Sequence, residues 1–379
     1  MKNNISLLVG LKNNLDYNKH FYETTRQLYP DVEICFVSYG STDGTTDWLD
    51  SLQDTNVRIF HSEEQKTFSD TFNKAAELAT KDYVSYLHND IVLAPGFIEN
   101  LEKHIGPTNI VSYTTIEPPI FAGHERPGKI VKDFGDSLET FNKDAMFAFV
   151  AEQSQYQNKT EPGITFFMCM PRKSLLDIGG MDNLFNPMFC EDDDLIRRWQ
   201  LLGMNCFTAL DSICYHFVSK TSRFSDEYKD KTRIIEHNSN RNFIRKWGSR
   251  NSKHKYSIQS IIKNCNEHLL EVLEPWFSCV YIETDLPEIV YKYYQKEHTN
   301  TKYDLAARIK LFDKNLFSMD NIDILVEIDG TKFTQNTFNI IQQLPDIITE
   351  SGSVGEFQLD NLRITITNMN TYEQDLVHL

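Results

Sequence analysis

The sequence predicts a doubly wound α/β domain over residues 1–248, built on a mostly parallel sheet, with a smaller α/β or α+β domain over residues 252–379. Three observations carry this. Short apolar runs recur without the alternation of a half-solvated strand, as they do when a parallel sheet is covered on both faces. Segments with helical spacing lie between them. Glycine, proline and short polar clusters mark the joins.

The elements follow in order. Residues 5–10 are a nearly continuous apolar strand. Residues 17–28 place Phe21, Thr24, Thr25 and Leu28 at helical spacing and stop before Pro30. Residues 33–38 read as the second strand, followed by the turn Gly40-Ser41-Thr42-Asp43-Gly44 and a helix through Trp48 and Leu52. A strand is expected at 57–61 and a helix at 67–80, with Phe68, Phe72, Ala75, Ala76 and Ala79 on its buried side. Residues 83–88 are the fourth strand, Pro95-Gly96 opens a helix, and 109–114 is the fifth strand. This alternation is that of a doubly wound sheet. Residues 116–163 lack periodicity and are rich in proline, glycine and charge, which marks a functional or mobile stretch. Beyond it come a strand (165–170), a helix (172–178) stopped by Gly179-Gly180, and an acidic helix (192–202). Two short strands (206–210 and 213–217) and a helix (232–247) ended by Gly248 close the domain. In the second domain the spacing predicts helices at 258–273, 305–312 and 337–344, and strands at 279–282, 322–328 and 362–367.

Composition bounds the function. The chain has 379 residues and a formal charge of −16. That disfavours a protein whose main work is gripping nucleic acid or an anionic membrane, since both need a cationic footprint. The basic run Arg241, Arg245, Lys246, Arg250, Lys253 and Lys255 reads as a solvated helix end and linker, with a local basic patch as the alternative. Seven cysteines without a CxxC pair fit reduced thiols in a cytoplasmic protein. The apolar run ending near Leu11 is too short to span a membrane.

Chemistry concentrates in three places. Residues 83–90 form a strand that stops on Asp90, and ligands of open α/β sheets bind at the carboxyl ends of strands. A carboxylate there, with Asn89 and His88 beside it, suits a divalent cation that also holds a phosphate. Cys190-Glu191-Asp192-Asp193-Asp194 supplies a dense acidic cluster, and His216 ends a later strand-like run. The bland alternatives are a turn cap for Asp90, a core histidine for His216 and helix capping for the acidic residues.

Five motifs in one order bear on these residues: Gly40-Ser41-Thr42-Asp43-Gly44-Thr45; Phe68 with Asn73; Leu87-His88-Asn89-Asp90 with Pro95-Gly96-Phe97; Gly179-Gly180-Met181-Asp182 leading to the acidic helix; and His216. With Asn242-Phe243 and Lys246-Trp247-Gly248 at its close, residues 5–248 resemble the family 2 glycosyltransferases of the GT-A fold, especially rhamnosyltransferase-like bacterial and viral members. The resemblance implies a GT-A type nucleotide-diphospho-sugar transferase fold. It places His88-Asn89-Asp90 where the family has its DXD motif, with His88 in place of the first Asp. Asp90 and His216 are the implied metal ligands, for Mn2+ or Mg2+. Glu191-Asp192 matches the ED motif, with Asp192 as the general base and Glu191 beside it. Arg197 and Arg198, one turn on, stand to pair with these carboxylates or with donor phosphate. Donor-binding positions carried over are Leu11, Ser38, Tyr39, Asp43, Asn73, His88 and Asn89. The family's base-reading Asp is absent, because Ser38 and Tyr39 occupy those positions. Asp43 is equally suited to forming the turn.

The expected activity is therefore metal-dependent, inverting transfer of a sugar from a nucleoside-diphosphate sugar to a hydroxyl of a glycan or glycan-like acceptor. A catalytically silent binding module on the same fold, or a retaining transferase, are the alternatives.

Overall fold

The continuous apolar runs become the centre of the sheet. The computed structural model describes residues 4–218 and 228–379. The chain divides into two compact units, residues 1–233 with 378–379, and residues 234–377. The sequence expectation had the helix at 232–247 closing the first domain; most of it falls in the second unit.

In the first unit β1 (Ile5–Leu11), β2 (Glu33–Tyr39), β3 (Val57–Ser62) and β4 (Tyr83–His88) alternate with α1 (Leu15–Leu28), α2 (Thr45–Ser51) and α3 (Phe68–Leu78). The four strands are parallel, in the order β3-β2-β1-β4. Thr67 and Asp70 cap α3 reciprocally, which explains the sharp start of that helix. A three-residue strand β5 (Ile91–Leu93) and α4 (Phe97–Leu101) follow, with Gly96 at φ +85° turning the chain into the helix. β6 (Asn109–Glu117) runs longer than expected. The stretch read as irregular holds α5 (Pro119–Ala122), β7 (Lys129–Val131), α6 (Lys143–Ala151) and β8 (Thr160–Pro162). β9 (Met168–Pro171), α7 (Arg172–Asp177), α8 (Glu191–Leu201) and β10 (Asn205–His216) complete the unit.

The full order is β3-β2-β1-β4-β9-β6-β10-β5, with β7 beside β6 and β8 beside β10. β9 is antiparallel to both β4 and β6, and β10 is parallel to β6. So β1, β2, β4, β6 and β10 all point the same way, and Leu11, Tyr39, His88, Glu117 and His216 stand at one edge.

β10 corrects the expectation of two separate strands. It is one strand with a register shift between Ala209 and Ile213. The looped-out Asp211 and Ser212 explain it, because both bond to the α4 region rather than to the ladder. Asn100 Nδ2 donates to Asp211 O at 2.7 Å, His104 Nε2 meets Asp211 Oδ1 at 3.0 Å, and Ser212 Oγ donates to Phe97 O at 2.9 Å.

α8 is bolted down by a fully buried ion pair. Arg198 Nε donates to Asp194 Oδ2 at 2.9 Å, and both side chains are 0% exposed. The rest of the guanidinium donates to Ile178 O and Gly180 O. Arg198 thus joins the helix to the Gly179-Gly180 turn and is not available to a donor phosphate.

In the second unit α9 (Thr232–Trp247), β11 (Ile258–Lys263), α10 (Glu267–Leu273), β12 (Cys279–Glu283) and α11 (Glu288–Glu297) are followed by α12 (Leu305–Arg308) and β13 (Ile309–Leu311). β14 (Ile324–Asp329), α13 (Gln335–Ser351), β15 (Gly355–Leu359) and β16 (Leu362–Ile366) end it. The sheet order is β13-β12-β11-β14-β16-β15, parallel through β14 and antiparallel beyond. Residues 258–263, expected to be helical, are its central strand, because this short apolar run suits either state and its neighbours decide.

The basic run is neither a surface patch nor a solvated helix end over its first half. Arg241, Arg245 and Lys246 are buried. Arg245 pairs with Glu274 at 2.7 Å and Glu297 at 2.8 Å, and Arg241 donates to Tyr293 Oη at 2.6 Å. Burial pushes the Glu274 carboxyl up, but Arg308 and Arg245 outweigh it and hold it below the usual range. None of the seven cysteines is in a disulfide. Among the described residues no helix is long and apolar enough to cross a membrane.

Replacing Asp194 with Ala leaves the Arg198 charge buried without its carboxylate. The expected loss is ~3–5 kcal/mol of unfolding free energy, read from urea denaturation; a loss below about 1 kcal/mol contradicts the buried-pair reading.

Candidate active site at the carboxyl edge of the sheet

The sheet's geometry brings three of the expected residues together. His88 ends β4, and Asp90 follows two residues later in the turn, Asn89-Asp90, that leads into β5. β5 then turns back antiparallel along β10, with Ile91 opposite His216, and Phe217 N donates to Asp90 O at 3.0 Å. Local pairing therefore fixes Asp90 beside His216. His216 Nε2 lies 3.4 Å from Asp90 Oδ1, and His88 Nδ1 lies 3.8 Å from the same oxygen. One ligand atom from each of His88, Asp90 and His216 falls within 4.8 Å of the other two.

Glu117, at the end of β6, was not anticipated. Its Oε1 lies 3.3 Å from His216 Nδ1, and its Oε2 lies 3.0 Å from Lys129 Nζ. A signal was present: like residues 83–90, the run 109–117 is a strand that stops on a carboxylate, here before Pro118-Pro119. Phe166 and Phe167 were also missed. Phe166 lies 4.8 Å from the His88 ring centroid, and Phe167 lies 4.9 Å from both His88 and His216.

The electrostatics divide the two histidines. Burial drives His88 down to about 4, with His216 adding to the effect and Asp90 opposing it. Burial also disfavours the charged form of His216, but Asp90 and Glu117 outweigh it and raise the group to about 9. In the absence of a cation, positive charge on His216 sits between two carboxylates.

These residues fit a divalent cation. The donor set is two imidazoles and one carboxylate. Both His88 Nε2 and His216 Nε2 are buried without a hydrogen-bond partner among the described residues. The Glu117–His216 contact is the kind of outer hydrogen bond that fixes a ligating imidazole.

The remaining expected positions divide. Leu11 and Ser38 are buried neighbours at the ends of β1 and β2, and Ser38 Oγ meets Ser41 Oγ at 2.8 Å. Tyr39 is half-buried against Phe60, with ring centroids 5.4 Å apart. Asp43 is taken up by the turn: it accepts from Leu15 N at 2.8 Å, Thr45 N at 3.1 Å and Thr45 Oγ1 at 2.6 Å. Asn89 Nδ2 donates to Asn18 Oδ1 at 2.6 Å, and Asn18 Nδ2 donates to Thr45 Oγ1 at 3.0 Å. These bonds tie the turn after β4 to the first turns of α1 and α2. Asn73 is directed elsewhere. Its amide donates to Met181 O at 2.9 Å and accepts from Met181 N at 2.8 Å, so both ends are spent on that loop.

Glu191 and Asp192 open α8. Phe189 and Cys190, just before it, have φ of +76° and +70°, a strained conformation for side-chain-bearing residues. The loop reaches the first cluster through Phe68, whose N donates to Pro187 O at 3.4 Å and whose ring meets His88 at 5.9 Å. Asp192 is half-buried, and its Oδ1 accepts from Asp193 N at 2.9 Å. Glu191 is 7% exposed, and its Oε2 has no hydrogen-bond partner among the described residues. Burial, then the charge of Asp192, raises its carboxyl to about 8.

This shift has a thermodynamic sign. The folded Glu191 holds its proton more tightly than the unfolded one, so its contribution to stability falls as pH rises from about 4.5 to about 8. Glu191→Gln is therefore expected to melt above the wild type at pH 8, with the gap closing toward pH 4.5. A gap independent of pH contradicts a buried, neutral Glu191.

Comparison with known proteins bears on this site. The sequence model of Glycosyl transferase family 2 matches residues 8–179. Asp90 lies within that span; Glu191, Asp192 and His216 lie beyond it. Over 104 residues the chain is 28% identical to glycosyltransferase GlyG of Streptococcus pneumoniae serotype 4, which covers 27% of this chain and 35% of that relative. The chain thus spans about a third of the relative's length. Among solved structures it is similar to the mannosyltransferase PcManGT from Pyrobaculum calidifontis, in complex with GDP-Man and Mn2+ (17% identity, TM-score 0.43, 64% of this chain and 63% of that one). A second is GalNAc-T7 with UDP, GalNAc and Mn2+ (11% identity, TM-score 0.43, 64% of this chain and 50% of that one). Within the first unit, residues 8–179 thus resemble Glycosyl transferase family 2, and the unit has a mostly parallel α/β architecture.

Proposed function

We propose that the first unit transfers a glycosyl group from a nucleoside-diphosphate sugar to a hydroxyl of a glycan or glycan-like acceptor, with inversion at the anomeric carbon. The observation that carries this reading is the meeting of His88, Asp90 and His216 at the carboxyl edge of a parallel sheet, where α/β folds hold phosphorylated ligands. These three side chains would hold Mn2+ or Mg2+. Such a cation, when bound, neutralises charge developing on the departing diphosphate.

The chain's own residues supply the rest. Asp192 accepts the proton of the acceptor hydroxyl as its oxygen bonds to the anomeric carbon. The bond from that carbon to the diphosphate oxygen breaks, and the nucleoside diphosphate leaves with the bonding electrons. Glu191, neutral at pH 7, adds no second charge beside the base. Glu117 holds His216, and the Asn89-Asn18-Thr45 chain of hydrogen bonds fixes the turn after β4 against the starts of α1 and α2. Leu11, Ser38 and Tyr39 line the donor edge, and the base is read without a carboxylate. Asp43 and Asn73 support the site from behind, through the turn and the Met181 loop. Seven cysteines outside any disulfide suit the reducing cytoplasm as the place of action.

Thermal unfolding against a panel of nucleoside diphosphates, with and without Mn2+, tests this. At about a hundred times its Kd the matching diphosphate adds roughly 2.7 kcal/mol, only when metal is present. No shift with any member contradicts the donor site. Asp192→Asn is expected to keep that shift and to lower kcat by about 10²–10⁴-fold; wild-type turnover removes Asp192 as the base.

A further inference from the structure

We propose that the second unit holds a nucleoside site of its own, at the carboxyl ends of β11 and β12, for a ribonucleoside whose 5′ end is uncharged or positively charged. The transferase reading concerns the first unit and is not needed for it.

The sheet order sets the place. From β11 the chain goes to β12 and β13 on one side and returns to β14 on the other, so the order reverses at β11. Open α/β sheets bind ligands outside the carboxyl ends of their strands at such a reversal. Lys263, Glu283 and Asp329 lie in one row at that edge, with Lys263 opposite both of the others. The β14 end of the row is closed. Asp329 Oδ1 accepts from Asn264 Nδ2 at 3.0 Å and from Thr331 Oγ1 at 2.7 Å, and a Cβ on Gly330 would come within 2.7 Å of Asn264 O.

The β12 end offers what a nucleoside needs. Glu283 ends β12 twenty residues after Lys263. A carboxylate at about that separation takes the ribose hydroxyl in dinucleotide-binding sheets. Glu283 is exposed, and its carboxylate has no hydrogen-bond or ion-pair partner among the described residues. Lys263 does not neutralise it, because its Nζ is drawn to Glu327 at 3.1 Å. Two apolar side chains stand close by in the chain and the ladder. Leu286 follows Glu283 by three residues and is 54% exposed; Leu311 ends β13 opposite Ile282 and is 53% exposed. Apolar surface beside a single polar anchor is how small-molecule sites are lined. The turn after β11 works against a phosphate. Nucleotide-binding sheets hold phosphate on the free N–H groups that open the first helix, approached across glycines. Here Asn264 takes the left-handed turn at φ +52°, and Asn266 fills the start of α10 by accepting from Leu269 N at 2.9 Å. Glu267 in that first turn and Asp285 beyond β12 add negative charge.

Calorimetric titration of the purified full chain tests this, with EDTA present so that the metal-dependent donor site of the first unit stays out of the reading. The probes are adenosine, guanosine, cytidine, uridine, their 5′-monophosphates, and S-adenosylmethionine, whose 5′ substituent carries a sulfonium charge. At least one probe without phosphate is expected to bind, and the 5′-monophosphate of the same base to bind at least ~10-fold more weakly. Glu283→Ala is expected to weaken the bound probe by about 10–100-fold, the loss of hydrogen bonds to a charged group. Because Glu283 is exposed and unpartnered, that variant is expected to keep the wild-type melting temperature, which separates lost binding from lost folding. Binding of no probe overturns the site. Binding that Glu283→Ala leaves unchanged places the ligand elsewhere and overturns it equally. A monophosphate that binds as tightly as its nucleoside overturns the ligand class.

Discussion

A buried carboxylate between two histidines is what the rest of the first unit is arranged around. Asp90 is 1% exposed, and an isolated charge at that depth costs several kcal/mol. Positive charge beside it offsets that cost: His216 at 3.4 Å, raised to about 9 by Asp90 and Glu117 against its own burial. The arrangement is held by pairing. β5 exists only as three residues, yet it returns the chain along β10 and fixes which residue of β10 lies beside Asp90. The looped-out residues of β10 set the register of its last turn toward that edge, and a slip of one residue would turn His216 to the other face.

The acidic helix depends on a second buried charge. Asp194, which from sequence alone competes with Asp192 for attention, is paired with Arg198. That pair fastens α8 to the Gly179-Gly180 turn, and Asn73 fastens the same loop from the other side through Met181. With the start of the loop tied to α8 and to Asn73, the left-handed Phe189 and Cys190 lead the chain into Glu191 and Asp192. Three residues of the acidic cluster thus take different parts, Asp194 as a structural anchor, Glu191 as a buried acid and Asp192 as the base candidate, and the division follows from burial and partners.

The elements that could be read from the sequence are those whose cause is local. The parallel strands announce themselves through apolar runs, and α3 through the helical spacing of Phe68, Phe72, Ala75, Ala76 and Ala79. The candidate residues Asp90 and His216 were legible because one closely follows a strand and the other ends one. What was hidden depends on distant partners. Nothing near Glu117 shows that its partner is His216, ninety-nine positions on. Nothing near Asn73 shows that its amide is spent on Met181. His88 was assigned to the donor by its place in a motif, and only the packing of β4 beside Phe166 and Phe167 brings its ring to Asp90. The basic run at 241–246 reads as exposed because its carboxylates, Glu274 and Glu297, lie in other elements. Residues 258–263 were misread because a short apolar run carries no period of its own.

The most direct test is to locate the ion itself. Anomalous diffraction at the manganese edge, from crystals grown with Mn2+ and a nucleoside diphosphate, reports its position without assuming any role for a residue. The account predicts one strong peak in coordination contact with Asp90, His216 and His88, with diphosphate oxygens on its open side. A peak elsewhere, or diphosphate bound at the sheet edge with no metal beside Asp90, contradicts it.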